Sequence, residues 1–228
     1  MAVLGRAAIA MWWDISPQRK AEFEDWHSHE HLPERLAIPG FLRGSRWAAA
    51  DGGTGFFVLY ELDDPETLAS PHYLERLNQP TPWSTQLMPH HRDMVRSQCR
   101  VEASVGGGVA RGMLTLRLSP RTSASGPLRT FLVEQADKIA SRAGTTAAHL
   151  LLTEAPDIAL TTEQRIRGGR DPSADWIFLV GGYDLAALQG LRAGELSNDT
   201  LSRHGAQGDI EAGLYVLSHA FTPVQSTR

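Results

Sequence analysis

Cysteine is almost absent from this sequence of 228 residues, in which Cys99 is the only one. A single thiol cannot form an intramolecular disulfide, and a metal cluster held by several cysteines is excluded. Such low cysteine use fits a reducing compartment, so we expect a cytoplasmic protein. Cys99 lies in a predicted strand, where a thiol usually behaves as a small buried hydrophobic side chain.

Long apolar runs and basic clusters are also missing. The first 15 residues are too few, and carry charge too early, for a transmembrane helix, and they lack the basic start and long apolar core of a signal peptide. The net charge is −4 and the sequence pI is about 6.1, without a basic patch. We therefore expect neither a membrane nor a nucleic acid as a partner.

Three common catalytic motifs are absent as well. No Gly-Lys-Ser/Thr follows the glycines at 106–108, so a phosphate-binding loop is not predicted. The nucleophile elbow Gly-x-Ser-x-Gly and the zinc motif His-Glu-x-x-His do not occur. What is present is 42% hydrophobic residues, enough for a sizeable core in one large domain or two of about 110 residues each.

The segment from Glu22 to Trp47 concentrates the groups that can do chemistry, with three of the nine histidines within five residues. Its first part has the spacing of one face of an amphipathic helix. The residues on that face are Phe23, Trp26, His27 and Glu30. Pro33 lacks an N–H, so the regular helix is expected to end or bend near 31–32.

The order of predicted elements repeats. The first half has strands at 7–15, 41–50, 56–62 and 92–104 and helices at 16–31 and 65–78. The second has strands at 113–118, 147–153, 176–180 and 213–221 and helices at 128–143 and 185–192. Both read β-α-β-β-α-β. We therefore predict an α+β protein of two tandem ferredoxin-like repeats, 1–108 and 109–228, packed sheet to sheet as an intramolecular dimeric α/β barrel, with the glycines at 106–108 as the linker.

The first 105 residues or so resemble the EthD-like family of the dimeric α/β-barrel superfamily. The resemblance rests on aromatic-His-x-x-x-His-Leu-Pro at 26–33, Ile-Pro-Gly-Phe at 38–41, and a following strand with Arg43 and Arg46. It implies a cleft between the sheet and the helix that carries this motif. That cleft would lie near Trp13, His27, His31 and Tyr60. Position 27 is histidine here, where the family often has tyrosine.

These observations lead to a functional hypothesis. The protein is expected to bind a small apolar or aromatic molecule and, if it is an enzyme, to use proton transfer without a cofactor or metal for isomerisation, decarboxylation or oxygenation. The predicted catalytic residues are His31, His27 and Arg46, with Arg46 stabilising negative charge. The predicted substrate-binding residues are Trp13, Trp26, Glu30, Tyr60 and His72. We expect a monomer or weak homo-oligomer, because the second half covers the sheet of the first.

Three alternatives remain open at this point. The protein could be a non-catalytic ligand-binding or structural protein whose site has lost its chemistry; separately, His31 could cap the bent helix end instead of contacting a ligand. It could bind a metal through the histidines at 27, 29 and 31 together with Glu30, although His29 should point away from the other two. Haem would require His204 or His219. Separately, the long connection 154–175 carries Arg165, Arg167 and Arg170, as a solvated loop or as a lid or anion contact.

Overall fold

The computed structural model describes residues 3–223, apart from the side chain of Asp209. Eight antiparallel strands form a closed barrel in the order β1-β3-β2-β8-β5-β7-β6-β4. The strands are β1 (Ala7–Asp14), β2 (Phe41–Ala49), β3 (Gly55–Leu62), β4 (Arg92–Gly106), β5 (Gly112–Pro120), β6 (Thr145–Thr153), β7 (Trp176–Gly182) and β8 (Ala206–Phe221).

The helices lie outside the barrel, where they cover its two halves. They are α1 (Lys20–Trp26), α2 (Leu32–Leu36), α3 (Pro71–Asn78), α4 (Pro82–Leu87), α5 (Ser125–Ala140), α6 (Thr162–Ile166), α7 (Leu185–Ala193) and α8 (Asn198–Arg203). None of the helices in the described residues is long and apolar enough to span a membrane.

The predicted fold class is confirmed. Strands β1–β4 with their helices form one β-α-β-β-α-β unit, and β5–β8 form the other. The two four-stranded sheets do not merely face each other, because the pairs β2–β8 and β4–β6 join them by hydrogen bonds into one barrel. Pairing at these edges satisfies backbone groups that an open sheet would leave exposed. The boundary between the units, at 108–109, remains a prediction.

Alternation along the strands divides the core into three parts. On β1, Trp12 points into the barrel, while Trp13 on the other face packs under the helices of the first unit. The barrel interior holds an apolar cluster that contains Cys99, as expected for a small buried hydrophobe. Gly44 on β2 lets α2 approach the sheet closely, because a side chain there would collide with Leu32 and Tyr60.

The helix around the histidines differs from the prediction. The regular α-helix ends at Trp26, earlier than the predicted end near 31–32. The chain then continues as a π-helical turn, His27–His31, directly into α2. The wider turn lets the Leu32 N–H bond the His27 carbonyl. Pro33 lies in the first turn of α2, where its missing N–H breaks no bond within that helix.

Candidate functional site

A narrow cavity of about 40 Å³ lies between the sheet of the first unit and its helices. It has room for a few water-sized molecules, so a larger guest enters only when the lining side chains move apart. Its apolar lining comes from strands β1 and β4, helix α3 and the turn after α4: Ile9, Met11, Leu77, Met88 and Met94. The matching region of the second unit is filled by leucines such as Leu116, Leu128 and Leu150.

One part of the cavity wall consists of aromatic and imidazole rings. His27 and His31 project from the π-helical turn, with ring centroids 5.7 Å apart. The His31 ring lies 4.4 Å from Trp26, and Trp13 is 6.3 Å from His27. His91, just before β4, completes this wall, with its ring 5.2 Å from Trp13. Flat apolar rings and imidazoles therefore share one enclosed space.

The buried imidazoles are held neutral. Burial lowers the pKa of His31 well below its usual value, and the Arg35 guanidinium lowers it further. Burial and then Arg46 lower the pKa of His27 in the same way. Burial also lowers the pKa of His91 to about 4, although its bond to the Met88 carbonyl opposes this shift. At neutral pH these rings carry lone pairs and can accept protons.

The other part of the wall carries guanidinium and phenol groups. Arg35 on α2 is 3% exposed and forms an ion pair with Glu163 of α6. Burial opposes the charge of Arg35, but the Glu163 carboxylate outweighs it and raises the Arg35 pKa. Arg96 on β4 donates a 2.5 Å hydrogen bond to the Tyr73 hydroxyl. Tyr60 on β3 is buried, which raises its pKa and keeps its hydroxyl protonated.

Several buried polar atoms at this site have no hydrogen-bond partner among the described residues. They are Trp13 Nε1, both ring nitrogens of His27, His31 Nδ1, Arg35 Nη1 and the Tyr60 hydroxyl. All five side chains line the cavity. Folded proteins leave few buried polar groups unpaired, because each unpaired group costs about 1–3 kcal/mol. Their convergence on one cavity marks it as the candidate site.

The structure brings together most of the residues that were singled out from the sequence. Trp13, Trp26, His27, His31 and Tyr60 all line the cavity. The side chain of His31 makes no cap hydrogen bond at the start of α2, so the capping alternative is wrong. The catalytic or binding role of each of these residues stays a prediction.

Three predicted residues lie elsewhere. Glu30 accepts hydrogen bonds from Trp26 and Thr81, so it ties the helix to α4 instead of facing the cavity. Arg46 lies behind His27, where it donates to the Glu24 carbonyl at 3.1 Å. His72 is exposed because the Ser70 cap starts α3 at Pro71 and turns the next residue, Tyr73, inward. Their expected placement in the cavity was wrong.

Five further polar lining residues were not singled out from the sequence, and a sixth, Arg167, was singled out only as part of a solvated loop or of a lid or anion contact. The six are Arg35, Tyr73, His91, Arg96, Glu163 and Arg167. The last two come from the connection 154–175, which places α6 of the second unit against the first. Arg167 pairs with Asp171 through contacts of 3.1 and 2.7 Å, whereas Arg165 and Arg170 are exposed. The signal in the sequence was the long connection with its arginines.

The geometry does not favour the metal or haem alternatives. His29 turns outward and its Nδ1 lies 2.8 Å from an Asp25 carboxylate oxygen, so it does not converge with His27 and His31. No group of three His, Cys, Asp or Glu side chains within the described part of the chain could hold a metal ion. His204 stacks on Phe131 with its Nδ1 at the Thr200 carbonyl, and His219 pairs across strands with Arg46. Neither histidine lines the cavity.

No family model matches the sequence, and no curated protein matches it. Solved structures do match. An anthrone oxidase-like protein has TM-score 0.67 and 12% identity, over 96% of this chain and 94% of that one. A suspected monooxygenase from Fusobacterium nucleatum subsp. nucleatum has TM-score 0.62 and 6% identity, over 96% and 95%. Another from Lactobacillus acidophilus has TM-score 0.58 and 9% identity, over 95% and 96%.

The chain has the ferredoxin-like dimeric α/β-barrel fold. At these identities the likeness concerns the fold alone, and it extends over nearly the full length of each chain. A shared fold does not determine function, which depends on the residues of the site.

Proposed function

We propose that this protein binds a small apolar or aromatic molecule in the cavity of its first unit and transfers a proton on it, without a cofactor, as an EthD-like protein. The observation that supports this proposal is the set of unpaired buried polar atoms that converge on the cavity. Such atoms are kept unpaired at a cost in stability, and a ligand that pairs with them recovers that cost.

The roles follow from the neutral imidazoles. His31 is the proposed base or acid, because it lines the cavity and its ring takes part in no hydrogen bond among the described residues. His27, one turn away, is its partner. Burial, and to a smaller extent Arg46 behind it, holds His27 neutral, while Arg35 lines the cavity and would stabilise negative charge that develops on the ligand.

Three reaction classes suit a neutral base beside aromatic walls: isomerisation, decarboxylation and oxygenation of an activated carbon acid. Each begins with, or passes through, a carbanion or enolate that the imidazole and guanidinium would stabilise. Two of the solved structures with this fold are suspected monooxygenases, and a third is an anthrone oxidase-like protein. These names favour oxygenation, with dioxygen as the oxidant.

The test replaces His31 with glutamine and measures phenol binding by quenching of tryptophan fluorescence. We expect His31→Gln to weaken phenol binding by roughly tenfold, the loss of one hydrogen bond to a buried group. The melting temperature should change little because the ring has no protein hydrogen-bond partner among the described residues. Alanine is a poorer choice, since it would leave a void beside Trp26.

The matched control is His29→Gln, on the same turn but exposed. It should bind phenol as the wild type does. Equal phenol binding by His31→Gln and the wild type would refute the role of His31, and absence of quenching in the wild type would refute the cavity as a binding site. Binding of aromatic molecules without turnover of any carbon acid would leave the non-catalytic alternative.

A further inference from the structure

The cavity has more positive than negative charge around it. Arg35 pairs with Glu163, and Arg167 pairs with Asp171. Arg96 lines the same cavity but forms no ion pair with any carboxylate of the described residues. Among those residues its one side-chain hydrogen bond goes to the Tyr73 hydroxyl, which does not supply a carboxylate. With the imidazoles neutral, one guanidinium charge therefore remains without a counter-charge.

Two more donors accompany this guanidinium. Arg35 is 3% exposed, and its Nη1 has no hydrogen-bond partner among the described residues, although its Nη2 contacts Glu163. Tyr60 is 1% exposed, and its hydroxyl also has no hydrogen-bond partner among the described residues. Both side chains line the cavity together with Arg96. Arg96 itself is half-buried, so water only partly screens its charge. Buried donors without partners are costly, and a carboxylate is the group that guanidinium donors bind best.

We infer that the ligand of this site is an anion, a small aromatic or apolar carboxylate whose charged group binds Arg96, the free Nη1 of Arg35 and the Tyr60 hydroxyl. This inference rests on the proposed function and names the substrate class of the same cavity. The carboxylate would fix the orientation of the ligand, with its apolar part among Trp13, Trp26 and the imidazoles. Arg96 is then a specificity-determining residue that distinguishes charged from neutral ligands.

The experiment compares benzoate with benzamide, which has nearly the same shape and no charge, by calorimetry on the full chain. We expect benzoate to bind the wild type roughly tenfold or more tightly than benzamide, as for a charge-assisted hydrogen bond. Arg96→Gln should reduce this preference to about twofold or less while benzamide affinity is unchanged. Arg96→Lys, which keeps the charge, should retain most of the preference. It thereby shows whether a loss in the glutamine variant comes from the missing charge or from a folding defect.

Arg92→Gln is the matched control, because Arg92 is exposed on the same strand and does not line the cavity. It should behave as the wild type. Equal binding of benzoate and benzamide to the wild type would overturn the inferred anion while phenol binding upholds the proposed function. An unchanged benzoate preference in Arg96→Gln would overturn the role of Arg96. If phenol, benzoate and benzamide all fail to bind, the proposed function itself falls, and this inference with it.

Discussion

Buried neutral histidines link the stability of the protein to pH. Burial depresses the pKa values of His27, His31 and His91, so the unfolded chain binds more protons than the folded one below about pH 6.5. The contribution of these neutral rings to the free energy of unfolding is fully present above that pH. It is lost as the pH falls, and for His91 the loss continues to about pH 4. Each histidine should add a slope of up to about 1.4 kcal/mol per pH unit.

Urea unfolding at several pH values checks this prediction. Above pH 7 these three histidines should not change the free energy of unfolding as the pH varies. Between pH 6 and 4 they should make it fall steadily. His91→Gln should have a shallower fall than the wild type, whereas His29→Gln, at an exposed site, should not. An identical slope in the His91 variant would show that this ring does not stay neutral in the folded protein.

The residues found from the sequence are those whose placement is set locally. His27 and His31 lie on one turn, and Trp13 alternates with Trp12 on a strand, so helical and strand periodicity was sufficient. Arg35, Arg96 and Glu163 meet only because three distant segments converge, which periodicity cannot reveal. Glu30 was misplaced because a spacing of 3.6 residues per turn was assumed across what is a π-helical turn.

The α6 segment closes the cavity with an ion pair between the two units. Glu163→Gln keeps the size of the side chain but leaves Arg35 buried without its counter-charge. We expect a loss of roughly 3 kcal/mol in the free energy of unfolding, and faster amide hydrogen exchange across α6. Chemical denaturation and exchange mass spectrometry measure the two effects. Because the closed cavity is narrow, the same loosening should speed association of benzoate.

The matched control is Glu134→Gln, whose partner Lys138 is exposed. Surface pairs contribute at most about 1 kcal/mol, so this variant should resemble the wild type. If Glu163→Gln is no more damaging than Glu134→Gln, the buried pair does not hold α6 in place. From the sequence, the connection 154–175 was interpreted as a solvated loop or as a lid or anion contact. Its contact with α2 was not predicted, because that contact depends on packing between units.

Closure of the barrel makes each unit depend on the other. Residues 1–108 alone would expose the apolar face that carries Trp12, Trp47 and Phe57, together with the unpaired edges β2 and β4. Apolar surface costs about 25 cal/mol per Å² in water. The isolated unit should therefore dimerise or aggregate, while the full chain is expected to be monomeric. Light scattering on both would decide this, and a stable monomer of 1–108 would contradict it.

At the scale of the whole molecule the sequence was most informative, because the element order β-α-β-β-α-β occurs twice and each strand alternates or is apolar on both faces. It predicted an intramolecular barrel but not which edges of the two sheets would pair, here β2–β8 and β4–β6, since strand pairing between units depends on contacts far apart in the chain. The small helices α6 and α8 were also missed, as each has only five or six residues.

Joining both halves of the barrel in one polypeptide removes a symmetry constraint. In a barrel made of two identical chains, any substitution occurs twice, so a polar group that helps one cavity must be tolerated in the other. Here a change in the first unit is made once. The arginines and histidines around one cavity can therefore coexist with a leucine-filled counterpart, whose close packing can offset the stability lost at the site.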